Sequence, residues 1–418
     1  MGSVEHAAGG RRRVVVTGLG LATPIGHTLD DACTALKEGR HGIERTEAFS
    51  SIEHLETRLS GPVRGIELKG RWPRQRTRSM GRVSLLAAHA TEEALADAGL
   101  EEDAWRRPEV GLAYGSTHGS SLELERFCKK VLVHDSLAGV PSSSFLRFMS
   151  HTTSANLAGL FGIQGRVLST SAACVSGSQA VGAGVEAIRS GAQDVMICGG
   201  AEELHWVPAG VFDIFSATSV EFNGEPDRSP RPFDRERDGI VVAEGAATVV
   251  LESLEHARQR GAPILGEVLG YGTNCDGSHV TAPSHEGMAQ AMRLGLRDAG
   301  VSADDVDYVN AHAPATIVGD VAESRATQEV FGSKTPVSST KGHTGHTLGA
   351  CGTMELAFCL GMMREGFVAP TRNLEEVDPR CAGLDHVREP RDATLELVAT
   401  HNFAFGGINT SLVLRRSV

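Results

Sequence analysis

Strand signals and helix signals alternate from one end of this chain to the other, and that alternation restricts it to α/β layers. Val14-Val15-Val16 reads as a short buried strand, residues 29–36 as the start of a helix, and residues 79–100 as a longer helix closed by Gly99. Residues 110–114 and 194–198 read as buried strands that run into glycines. Further strands are predicted over 247–251, 264–271, 306–310 and 337–338, with helices starting at Glu286, Asp320 and Leu348. A faint internal echo accompanies the alternation. Residues 167–174 and 337–346 each place reactive side chains where a strand hands over to a small-residue helix. Each is followed by a predicted strand, 194–198 in one case and 367–369 in the other. A true echo would make two similar halves that meet around one site, joined through residues 240–270; chance repetition of common βα grammar is the alternative.

Composition excludes several classes. Over 418 residues, 40 Lys and Arg stand against 52 Asp and Glu, a net charge of -12 that argues against a dedicated nucleic-acid binder. The eight cysteines form no CxxC pair, so they suit a reducing cytoplasm rather than a disulfide framework. No apolar run approaches the roughly 18–20 residues of a membrane span. Arg11-Arg12-Arg13 before Val14 imitates the charged start of a signal peptide, but Thr17, Gly18 and Gly20 break the apolar run. The arginines read as a frayed tail entering the first strand.

Four segments carry chemistry. Cys174 precedes a helical run, where unpaired N–H groups and the helix dipole favour a thiolate and can hold an oxyanion. A buried structural cysteine is the alternative. His312 follows a strand, and Lys341, His343 and His346 share a Gly/Thr loop that enters a helix. His343 and His346 are three apart, but no HExxH pattern or cysteine partner accompanies them, which disfavours zinc. Basic groups in strand-end loops around one cysteine fit nucleophilic acyl chemistry better. Residues 403–409, Phe-Ala-Phe-Gly-Gly-Ile-Asn, read as a loop whose amides approach a ligand, or as a turn between two strands. No dinucleotide fingerprint, phosphate loop or GxSxG elbow occurs. Finally, Lys69, Arg71, Arg74, Arg76, Arg78 and Arg82 form a basic strip without one acid, with Arg126, Lys129 and Lys130 as a smaller group. In an acidic protein such a strip points to an acidic partner, with a solvated helix face as the alternative.

Together these segments resemble the elongating, type II β-ketoacyl-[acyl-carrier-protein] synthases of the thiolase superfamily. The resemblance runs from Val14-Val-Val-Thr-Gly-Leu-Gly to Asn409-Thr-Ser-Leu-Val. Its most specific parts are Ala173-Cys174-Val-Ser-Gly, Asn310-Ala-His312, Gly319-Asp320-Val-Ala-Glu323, the Lys341 to His346 loop, and Phe403-Ala-Phe-Gly-Gly; Pro232-Phe233-Asp234 with Asp238-Gly239 also matches. It implies a duplicated thiolase-like fold, layered α-β-α-β-α, with halves at 11–255 and 256–418. By the resemblance Cys174 accepts the acyl group, His312 and His346 complete the set, and Lys341 is a buried lysine paired with Asp320 or Glu323. The N–H groups of Cys174 and Phe405 form the oxyanion hole, Phe405 gates the pocket, and Glu355 and Phe403 support the site. Thr316 and Thr281 would bind pantetheine, and Arg74, Arg76, Arg78, Lys129 and Lys130 would dock the acidic acyl carrier protein. A dimer of identical or related subunits is implied, with no metal and no cofactor beyond the carrier's phosphopantetheine.

The departures matter. Such enzymes commonly read His-Gly-Thr-Ser-Thr, whereas this chain reads His312-Ala313-Pro314-Ala315-Thr316, which costs one pantetheine threonine. Thr400-His401-Asn402 replaces the usual Asn-Ser pair, and Ala404 stands where glycine is common. These changes point toward a specialised polyene or polyketide pathway rather than housekeeping fatty-acid elongation. A thiolase would need a second cysteine in residues 403–409, and a silent chain-length partner would lack Cys174.

Overall fold

The computed structural model describes residues 6–7 and 11–417. The first half of the chain supplies β1 (Val14–Ala22), α1 (Leu29–Lys37), α2 (Arg82–Asp97), β2 (Val110–Gly115), α3 (Ser121–His134) and α4 (Thr152–Phe161). It continues with β3 (Val167–Thr170), α5 (Ser176–Arg189), β4 (Val195–Glu202), α6 (Trp206–Ile214) and β5 (Gly245–Ser253). The second half supplies β6 (Gly266–Cys275), α7 (His285–Ala299), β7 (Tyr308–Asn310), α8 (Gly319–Phe331) and β8 (Pro336–Ser338). It ends with α9 (Cys351–Glu365), β9 (Leu397–Ala404) and β10 (Ile408–Arg416).

The echo is a repeat of topology. One set of strands runs in the order β1-β5-β4-β2-β3 and the other in the order β6-β10-β9-β7-β8, so each of these ten has a counterpart at the same place, while Asp385–His386 adds an eleventh, parallel strand beyond β8. Strand senses also match: β2 is parallel to β3 and β4, as β7 is to β8 and β9. The two sets join through a short antiparallel contact in which Val15 and Val16 of β1 face Glu267 and Gly266 of β6. The strand expected at 367–369 forms at Phe367–Val368 but not in the place expected of it. Phe367–Val368 pairs with Arg391–Asp392 outside the large sheet, and β9 takes the place that corresponds to β4. The long excursion between α9 and β9 hides this counterpart, because sequence distance was the cue.

Helices α5 and α9 lie between the two sets of strands and share one core with both. Thirteen of the fifteen residues of α9 are buried, as a helix apolar all round requires. α2 and α4 cover the outer face of the first set, and α7 and α8 that of the second, each over its own core. The result is the α-β-α-β-α layering of a duplicated thiolase-like fold. β1 runs well past the three valines because its glycines meet α2. A Cβ at Gly18 would lie 2.4 Å from the Ala94 carbonyl, and one at Gly20 2.1 Å from that of Ala90.

The arginine tail is likewise corrected. Arg11 reaches Asp298 (2.7 Å), Arg12 reaches Asp194 (2.5 Å) and Arg13 reaches Glu267 (2.7 Å), so all three pin the chain start to later elements. Among the described residues no helix is long and apolar enough to cross a membrane.

Candidate active site

The first reactive group stands where β3 gives way to α5. Ala173 has φ +49°, a left-handed conformation that turns the chain sharply just before Cys174. The Ser176 hydroxyl holds that turn: it donates to the Ala173 carbonyl (2.7 Å) and accepts from the Ala172 N–H (2.9 Å). Cys174 is buried at the front of α5, and the expected stabilisation of its thiolate by the helix start does not dominate. Burial pushes the thiol up to about 12, with the charge of Lys341 opposing. The resting group is therefore a thiol that needs a base.

Two histidines meet it from the other half of the chain. His346 Nε2 lies 3.1 Å from Cys174 Sγ, and the His312 ring stands edge-on to that of His346, centroids 5.1 Å apart. Backbone bonds pin His346 between Val241 (2.7 Å) and Ala243 (2.9 Å). Glu323 holds the backbone of His312, accepting from the N–H groups of His312 (2.7 Å) and Ala313 (2.6 Å). Burial, reinforced by Lys341, pushes both imidazoles well below the usual histidine range, so both are neutral. Cys174 Sγ and one ring nitrogen from each histidine all lie within 4.8 Å of one another, a donor set able to hold a metal ion. His343 does not join them. Its ring nitrogens face the carbonyls of Arg40 (2.9 Å) and Pro370 (3.2 Å), so it is a core histidine.

The partner of Lys341 is corrected. Its ammonium bonds Glu355 on α9, not Asp320 or Glu323, and Glu355 also accepts from Asn402 Nδ2 (2.7 Å). Burial works against the charge on Lys341, but Glu355 outweighs it and raises the pKa. The other two carboxylates are already engaged. Glu323 serves the His312 backbone, while Asp320 accepts from the Phe233 N–H (2.9 Å) and faces Arg237 at 3.7 Å.

A cavity of about 460 Å³ opens over the thiol. Cys174, His312, His346, Phe403 and Phe405 line it, as do Thr281, Pro314 and Thr316. Phe403 stands edge-on to His312, centroids 6.1 Å apart. Phe405 packs between Phe212 and Phe215, at 5.2 and 5.9 Å, and the next residue, Gly406, donates to the Val280 carbonyl (2.7 Å). Sequence reasoning missed Phe212 and Phe215, because the end of α6 carries no motif. It also missed Glu202, which accepts from the N–H groups of Thr117 (2.7 Å), His118 (3.2 Å) and Gly349 (3.2 Å) behind the thiol. Two adjacent acids at the end of a buried strand were the available signal.

The basic strip is shorter than its sequence suggests. Arg71 is paired with Glu92 and Glu93, and Arg82 with Glu244. Arg74, Arg76 and Arg78 are exposed and carry no ion pair among the described residues. Lys129 and Lys130 are also exposed; Lys129 pairs with Glu125 and Lys130 bonds the Gly139 carbonyl.

Comparison with known proteins places this geometry. The profile of "Beta-ketoacyl synthase, N-terminal domain" matches residues 11–257, and that of "Beta-ketoacyl synthase, C-terminal domain" matches residues 265–375. The chain is 40% identical over 413 residues to 3-oxoacyl-[acyl-carrier-protein] synthase 1 of Escherichia coli K12, covering 97% of this chain and 99% of that one. A crystal structure of a β-ketoacyl synthase from Burkholderia phymatum superposes with a TM-score of 0.94 at 48% identity, covering 97% and 100%. The ishigamide ketosynthase/chain length factor gives 0.91 at 33% identity, covering 98% and 100%. The repeated topology, the Cys-His-His convergence and these full-length likenesses make the chain a member of the β-ketoacyl synthase family of condensing acyltransferases.

Proposed function

We propose that this enzyme catalyses decarboxylative Claisen condensation of an acyl group held on Cys174 with malonyl-acyl-carrier protein. The observation that carries the reading is the 3.1 Å approach of a neutral His346 to a buried thiol, with His312 alongside. His346 Nε2 takes the thiol proton as Cys174 attacks the acyl thioester; the carrier leaves as a thiol and the acyl group stays on sulfur. Malonyl-carrier then enters and its C–C bond breaks to release CO2. Both imidazoles donate hydrogen bonds to the thioester oxygen as negative charge grows there. The carbanion attacks acyl-Cys174, the tetrahedral oxygen rests on the N–H groups of Cys174 and Phe405, and the thiolate leaves as the β-ketoacyl-carrier forms. Lys341, fixed by Glu355, keeps positive potential beneath the site. Asp320, Glu323 and Phe403 position the rest.

Substrates ride on carrier phosphopantetheine, which threads past Thr281 and Thr316, and the chemistry calls on no separate cofactor. Arg74, Arg76, Arg78, Lys129 and Lys130 dock the carrier. The halves 11–255 and 256–418 contribute the nucleophile and the histidines respectively. A second subunit covers the outer edge of β3 and the apolar end of α3 with the residues that follow it, where Leu132 and Leu137 are 72% and 67% exposed. The place of action is the cytoplasm. Pro314 and His401 favour a specialised polyene or polyketide pathway, whereas the 40% identity to 3-oxoacyl-[acyl-carrier-protein] synthase 1 favours fatty-acid elongation; a chain-length and unsaturation profile with malonyl-carrier separates the two. Intact-mass measurement after incubation with acyl-carrier should show one acyl addition that Cys174→Ala abolishes. An acyl group retained by that variant removes the nucleophile assignment.

A further inference from the structure

We propose that Cys174, His312 and His346 also form a reversible site for a borderline-soft divalent cation, zinc foremost, whose binding switches condensation off. Three donors of the types that zinc selects already converge, all within 4.8 Å of one another. In a tetrahedral shell with ordinary Zn–S and Zn–N lengths, sulfur and nitrogen stand about 3.6 Å apart. Cys174 Sγ and His346 Nε2 start at 3.1 Å, so the pair needs only a small outward movement to admit the ion. All three residues line the cavity, which leaves a fourth position for water, the arrangement of three protein ligands and one open site.

Neither the His312 Nδ1 nor the His346 Nδ1 has a hydrogen-bond partner among the described residues, so no acceptor fixes the tautomer or orientation of either ring. That same freedom argues for a regulatory ion rather than a resident one, because resident zinc histidines are oriented by an outer-shell acceptor. The nearby positive charge of Lys341 weakens binding further. The step balances without redox: the thiol loses one proton to solvent, a sulfur–metal bond forms, and one or more metal-bound waters leave. Affinity therefore rises with pH. A metal on the sulfur removes the nucleophile, and an acyl group on the sulfur excludes the metal.

The test is a titration of the full-length protein with cobalt(II), followed by displacement with zinc(II). One equivalent should bind with a thiolate-to-cobalt charge-transfer absorption, and zinc should bleach it. Wild-type protein alkylated at Cys174 with iodoacetamide should lose the band, as should Cys174→Ser. His312→Asn and His346→Asn should each weaken cobalt binding by about tenfold or more. Condensation should stop with zinc and return with a chelator. Absence of the charge-transfer band in the wild type overturns the site, as does unchanged affinity in both histidine variants. Metal binding does not require the condensation reading to hold; inhibition does, so the spectrum and the rate fail separately. If zinc binds and the rate is untouched, the switch is wrong.

Discussion

At the residue scale the site depends on groups kept in their less polar forms. Burial raises the Cys174 thiol and lowers His312 and His346, so the proton to be moved lies between two neutral partners. His401 shows the same physics without the chemistry. It is fully buried between Phe331 and Phe403, has no hydrogen-bond partner among the described residues, and burial lowers its pKa to about 3. Below the ordinary histidine value of 6.5 the unfolded chain takes up a proton that the folded chain refuses, so this group makes stability fall as pH falls. His401→Phe should therefore remove about 2 kcal/mol of the stability lost between about pH 7.5 and about pH 5, measured by urea unfolding at both values. Equal pH dependence in variant and wild type would show that His401 is not neutral in the fold.

At the element scale, α6 links Phe405 to α3. Its first residues are held by Glu125 on α3, which accepts from His205 Nε2 (2.7 Å) and Trp206 Nε1 (3.2 Å). Its far end carries Phe212, which packs on Phe405. Glu125→Ala would strand two N–H donors, His205 being mostly buried, and should cost about 1–3 kcal/mol in urea unfolding. Glu125→Gln keeps an acceptor and should lose less than half of that. This linkage was illegible in sequence, because Glu125 and His205 are distant in the chain and match no pattern. Cys174 before α5, by contrast, was legible, since its placement follows from local βα grammar.

At the scale of the whole molecule, a chain of net charge -12 exposes Arg74, Arg76 and Arg78, of which Arg76 also donates to the Leu160 carbonyl. If they dock the carrier as proposed, those charges act on encounter more than on chemistry. Arg74→Glu combined with Arg78→Glu should raise the KM for acyl-carrier by about tenfold at low salt and leave kcat within about twofold, the gap closing as salt is added. Steady-state kinetics at several ionic strengths decide this, and unchanged low-salt kinetics would remove the docking assignment.

By itself the sequence determined the α/β alternation and placed Cys174, His312, Lys341 and His346 at strand-to-helix junctions, because those junctions and glycine punctuation are local signals; it left the doubled plan open against chance repetition. Tertiary structure alone decided the partners. Lys341 met Glu355 because α9 brings that carboxylate beneath the loop, while Glu323 and Asp320 were occupied by backbone N–H groups. β9, rather than residues 367–369, completed the second set of strands. The basic strip lost Arg71 and Arg82 to carboxylates elsewhere in the chain. The thiol ended up raised rather than lowered, since desolvation depends on everything packed around a group and the helix start acts only along one axis.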